Sequence, residues 1–118
     1  MKQNILQEKS YSFALRIIKL YRFLTEEKQE FVLSKQILRS GTSIGANVEE
    51  SIGGVSERDF IQKLWIAYKE ARETRYWLRL LIDSGYLTEK QSHELLDSVE
   101  EICRIIGKTQ VTMRKKFQ

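Results

Sequence analysis

Apolar side chains recur at spacings of three and four along almost the whole chain, and no proline interrupts them. That periodicity matches one face of an α-helix and gives none of the alternation expected of strands. In a first segment, about Asn4 to Leu24, the series Leu6, Ser10, Phe13, Ala14, Ile17, Tyr21 and Leu24 shares one face, with Arg16, Lys19 and Arg22 off it. Thr25 to Lys28 reads as a short connection. A second segment, about Gln29 to Ile52, carries Leu33, Ile37, Gly41, Ile44, Val48 and Ile52. Its middle, RSGTSIGAN, is rich in small residues, and a glycine costs a helix about 1 kcal/mol relative to alanine. A loop could have this composition, but the apolar stripe passes through it in phase, which favours helix. Gly41 and Gly45, one turn apart, would let a neighbouring helix come close. A phosphate-binding loop is not indicated, because the string lacks the G-x-x-x-x-G-K-[ST] order and no strand precedes it.

Gly53-Gly54 ends the second helix. Ser56, with Asp59 three residues later, resembles a capping box and opens a third helix that runs to about Ser84. Its inward face is Phe60, Ile61, Leu64, Ala67, Tyr68, Ala71, Leu78, Leu81 and Ile82. Gly85 supplies a stop, and Thr88-x-x-Gln91 starts a fourth helix with Leu95, Leu96, Val99, Ile102, Cys103, Ile106 and Met113 on its stripe. Fraying is expected near Thr112 to Gln118. Helices of roughly 30 to 40 Å joined by short turns predict an all-α fold. Residues 1–118 should form a single domain, an antiparallel up-down-up-down four-helix bundle.

With 42% hydrophobic and 31% charged residues, the chain can bury a core and is not expected to be disordered. Cys103 is the lone cysteine, which excludes an internal disulfide and suits a reducing cytoplasm. On its apolar stripe it reads as a small hydrophobe. The start, MKQNILQEKS, has no apolar block of signal-peptide length, and no stretch approaches the roughly 20 apolar residues of a membrane span. A soluble cytoplasmic protein with no membrane partner is expected.

Helix 3 carries a second apolar set. Trp65, Ile66, Tyr76, Trp77 and Leu80 project away from its inward stripe. On a lone bundle these would form a large exposed patch, so they are the expected subunit interface. The alternative is an irregular bundle that covers this side itself. Arg75 is the opposite anomaly, a charge between Ala71 and Leu78 on the inward stripe. Buried arginines need partners, and Asn47 or Glu50 of helix 2, or a carboxylate of a neighbouring subunit, could supply one. Such a buried polar network would fix helix register. A functional site around Arg75, or snorkelling of its side chain to the bundle edge, are the other readings.

No chemistry-bearing constellation is visible. The only histidine, His93, does not match the Glu-x-x-His spacing of di-iron bundles, and Glu49-Glu50 and Glu100-Glu101 splay rather than converge. No catalytic residue, metal or cofactor is therefore expected. Basic residues offer more. The net charge is +4, yet after Glu101 there are five basic residues and no acid. Arg104, Lys108 and Lys115 share an outer side of helix 4, with Arg114 and Lys116 beside it. Helix 3 adds Lys69, Arg72 and Arg79, and helix 1 adds Arg16, Lys19 and Arg22. Such stripes could track the phosphates of RNA or DNA with little sequence preference. An ordinary solvated helix face is the plainer reading.

The strings RSGTSIGANVEESIGG (Arg39 to Gly54) and DFIQKLWIAYKEARETRYWLRLL (Asp59 to Leu81) closely resemble the bacterial four-helix bundle proteins encoded within intervening sequences of 23S ribosomal RNA genes. The likeness extends to SYSFALRIIKLYRFL and EFVLSKQILRS, and so to nearly the whole chain. It implies a homopentamer without catalytic residues. It also implies a relation to the accessory variability protein of diversity-generating retroelements, a basic pentamer that binds nucleic acid and a reverse transcriptase. Carried over, Ser40, Gly41, Ser43, Gly45, Ala46 and Asn47, and Glu70, Ala71, Arg72, Glu73 and Arg75, look like packing elements of bundle and subunit. Unlike that accessory protein, this chain carries many acids from Asp83 to Glu101. A protein–protein adaptor or a purely structural assembly is the alternative function.

Overall fold

The structure, a computed structural model, describes residues 4–116. The helices are α1 (Ile5–Glu26), α2 (Leu33–Ile52), α3 (Glu57–Asp83) and α4 (Glu89–Lys116), with no strand among the described residues. Three of the starts carry side-chain caps of the kind that satisfies orphan amides. The Asn4 side chain accepts from the Gln7 amide, and the Ser56 hydroxyl accepts from the Asp59 amide. At α4 the capping box is reciprocal. Thr88 Oγ1 accepts from the Gln91 amide at 3.1 Å, and Gln91 Oε1 accepts from the Thr88 amide at 2.9 Å. Gly85 sits at φ +88°, the left-handed conformation that turns the chain after α3.

Helix 2 begins later than the periodicity suggests. Gln29 has φ 51°, which no helix tolerates, and the chain re-enters helix only at Leu33. The Glu30 carboxylate replaces a conventional cap by accepting from the amides of Val32, Leu33 and Ser34 at 2.7 to 3.2 Å. At the other end α4 is helical through Lys116, the end of the described residues. Residues 117–118 lie outside them.

The four helices form a ring in which α1 packs on α2 and α4, and α3 on α2 and α4. Cross-links run in opposite chain directions at every seam. Lys9 pairs with Glu101 and Arg16 with Glu94 between α1 and α4. Lys63 pairs with Glu50, and Arg39 with Glu70 and Glu73, between α2 and α3. The bundle is therefore antiparallel throughout, 48 Å long and 25 by 21 Å across. Its core is built from Phe13, Ile17, Leu24, Ile37, Ile44, Leu64, Leu78, Leu81, Ile102 and Ile106, among others.

The small-residue middle of α2 is helical, and its glycines set the distance to α1. A Cβ on Gly41 would lie 2.8 Å from both γ-carbons of Ile17. One on Gly45 would lie 3.3 Å from the Ser10 carbonyl oxygen. Two stripe positions differ from expectation. Leu20 rather than Tyr21 is buried, and Ile52 is 46% exposed while Ser51 is buried. Ile44, Val48 and Ile52 follow two four-residue steps, each of which overshoots a 3.6-residue turn by about 40°. By Ile52 the series has rotated off the core.

Candidate nucleic-acid interface

Arg75 does not sit on the core line. Thr74, one residue earlier, takes that place fully buried, 2.8 Å from Ser40 Oγ and 2.7 Å from the Glu70 carbonyl. Arg75 is rotated toward α4, is only partly buried, and its Nε donates to Glu100 Oε1 at 3.0 Å. The expected network of Arg75 with Asn47 and Glu50 is thus replaced. Asn47 Nδ2 donates to the Ser43 carbonyl in its own helix, and Glu50 pairs with Lys63 at 2.9 Å. The Glu50 hydrogen bond and charge hold the Lys63 ammonium above its ordinary pKa. The buried polar link between α2 and α3 is Ser40–Thr74. Sequence reasoning missed it because a threonine on an apolar stripe looks like a filler.

The expected interface set divides in two. Ile66, Trp77 and Leu80 are half-buried, and Trp77 packs against the core with its ring N–H donating to Glu73 at 2.9 Å. Trp65 (39% exposed) and Tyr76 (52%) remain on the outer crest of α3. Trp65 packs edge-on against Tyr68 with ring centroids 5.7 Å apart.

Three cross-links fix the register of α3 on α4: Glu57 with Lys116, the Ile61 carbonyl with Gln110 Nε2 at 2.8 Å, and Arg75 with Glu100. The first half of α3 therefore runs beside the second half of α4. On that half Lys69, Arg72, Arg104, Lys108, Arg114 and Lys115 are exposed and make no ion pair among the described residues. Arg58, which the sequence reading did not select, joins them. It shows no apolar partner pattern, and only the register places it beside the end of α4. Lys116 is engaged by Glu57. Arg79 stands apart, lining a depression with Asp83, Glu89 and His93 at the acidic end. Arg16 is paired with Glu94, while Lys19 and Arg22 face outward from α1.

Between the two helices lies an open groove of about 340 Å³ lined by Tyr68, Arg72, Arg75, Glu100, Cys103 and Arg104. Burial pushes the Cys103 thiol above its ordinary pKa, while Arg72 and Arg75 pull it down and Glu100 pushes it up. Their charges thus converge on one spot, and the thiol stays protonated at neutral pH. No group of three or more metal-ligating side chains occurs among the described residues, nor a helix long and apolar enough to cross a membrane. The surface offers positive charge and aromatic faces, which suit binding of a polyanion.

The family model described as 23S rRNA-intervening sequence protein matches residues 2–108. A crystal structure of a protein of unknown function from the S23 ribosomal protein family of Bacteroides thetaiotaomicron is similar, with a TM-score of 0.89 and 50% sequence identity. The similarity covers 90% of this chain and 98% of that one. Among curated proteins, none matches.

Proposed function

The chain belongs to the 23S rRNA-intervening sequence protein family, and from that footing we propose a cytoplasmic, non-enzymatic, homo-oligomeric bundle that binds RNA or DNA through its basic face. The observation that carries this reading is the gathering of Lys69, Arg72, Arg104, Lys108, Arg114 and Lys115 on one half of the α3/α4 side, without carboxylate partners. Unpaired cations on a shared face release counterions when they meet phosphates, so affinity falls steeply with salt. The homopentamer is what the family resemblance implies, and the exposed Trp65 and Tyr76 support it. Ile66, Trp77 and Leu80, on the side of α3 toward α2, would extend that contact away from the basic side. A reverse transcriptase or another protein is a candidate further partner.

Mobility shift with ribosomal RNA fragments across a salt series tests the binding. Retarded RNA at low salt is expected, with charge reversal at Arg104, Lys108 and Lys115 abolishing the shift. Unchanged RNA mobility at the lowest salt would overturn it. Light scattering should give about five times the 14.0 kDa chain mass, and a clean monomer at micromolar concentration would end the assembly reading. The second reading, an adaptor or structural assembly without nucleic acid, draws on the same exposed aromatics. Recovery of one specific protein from nuclease-treated lysate, with no RNA shift, would favour it.

A further inference from the structure

Within that reading, on which this inference rests, we propose that the α3/α4 groove seats an unpaired nucleic-acid strand, with a phosphate between Arg72 and Arg104 and a base against the Tyr68 ring. The groove holds three guanidinium groups and one carboxylate. Arg75 is committed to Glu100 at 3.0 Å, which leaves Arg72 and Arg104 free to bind an anion. Its volume of about 340 Å³ falls at the small end of the roughly 300–1,000 Å³ typical of ligand sites. The Tyr68 ring decides between an unpaired strand and a duplex. Tyr68 lines the groove beside Arg72 and Arg75, while Trp65, edge-on behind it, lies outside the lining and is left to the subunit contact. A duplex hides its base faces in its own stack, whereas an unpaired base can lie on an aromatic ring beside arginines.

Two features make the site testable. Glu100 is the sole acid in the groove, so removing its charge should strengthen binding, a gain that misfolding cannot imitate. Cys103, the only cysteine, lines the same groove and reports its occupancy. The probes are an oligouridylate and an oligothymidylate of roughly twenty nucleotides, a span covering one or more single-strand sites, and a duplex of equal length. At low salt Glu100→Gln should tighten single-strand binding by about twofold to fivefold, the scale of one exposed charge. The double variant Arg72→Gln with Arg104→Gln should weaken it about tenfold and lower the salt slope by about 0.7 per lost phosphate contact. Lys35→Gln, an exposed and unpaired α2 position, should leave it unchanged. Saturating oligouridylate or oligothymidylate should slow alkylation of Cys103, measured at alkaline pH where the thiolate forms, and the duplex should not. Binding that leaves Cys103 alkylation unaltered, or that Glu100→Gln does not improve, would remove the groove and leave the broader nucleic-acid reading standing. Equal protection by duplex would overturn the unpaired-strand assignment. Failure of every probe to bind would overturn both.

Discussion

The α1/α2 seam and the α3/α4 seam are built from opposite kinds of residue. At the first, Gly41 and Gly45 bring two backbones together until Ile17 and Ser10 fill the space where side chains would be. At the second, Tyr68, Arg72, Arg75 and Arg104 line a wide, open groove at the surface between the helices. Both seams flank one core and differ in the side chains they present. The tight seam is filled by Ile17 at Gly41 and keeps only a depression of about 150 Å³ beside Gly45. The wide seam exposes charge and an aromatic ring to solvent.

Filling the tight seam should therefore cause the largest loss. Gly41→Leu must displace Ile17 and should cost about 3 kcal/mol, at the upper end for overpacking, read as a drop in the denaturant midpoint. A matching enlargement at the wide seam, such as Cys103→Leu, should cost clearly less. Equal losses would erase the contrast. Next in size is the buried link that spans α2 and α3. Thr74→Val leaves Ser40 Oγ without its partner and should cost about 1–2 kcal/mol. Smallest is the wide-seam ion pair. Arg75→Gln should cost no more than about 1 kcal/mol, because the pair is half-exposed and solvent screens it. A loss near the roughly 3–5 kcal/mol of a broken buried pair would place Arg75 in the core after all.

What is legible in the sequence follows the same division. Helix number, order and most core positions are legible in the sequence, because a 3.6-residue period, Ser56 and the Thr88–Gln91 box are local signals. The helical reading of RSGTSIGAN rested on phase, and the structure shows what the glycines are for. The start of α2 was misplaced because Gln29 gives no sign of a positive φ, and a carboxylate cap by Glu30 matches no familiar motif. Arg75 was assigned to the core because one residue of rotation, about 100°, separates Thr74 from it. Nothing in a linear stripe fixes which of two adjacent residues faces inward. Partners across a seam, Glu100 for Arg75 and Glu57 for Lys116, depend on the vertical offset of α3 against α4. So does the grouping of Arg58 with the end of α4. That offset is a property of packing and has no local signature.

The ring arrangement has a kinetic consequence. Every helix touches the one before or after it in the chain, and α1 against α4 alone closes the circle between distant segments. Such a chain can assemble hairpin by hairpin and defer its single costly loop closure to the end. Folding on the order of milliseconds or faster is expected, with the α1/α4 seam predicted to form last and open first in hydrogen exchange.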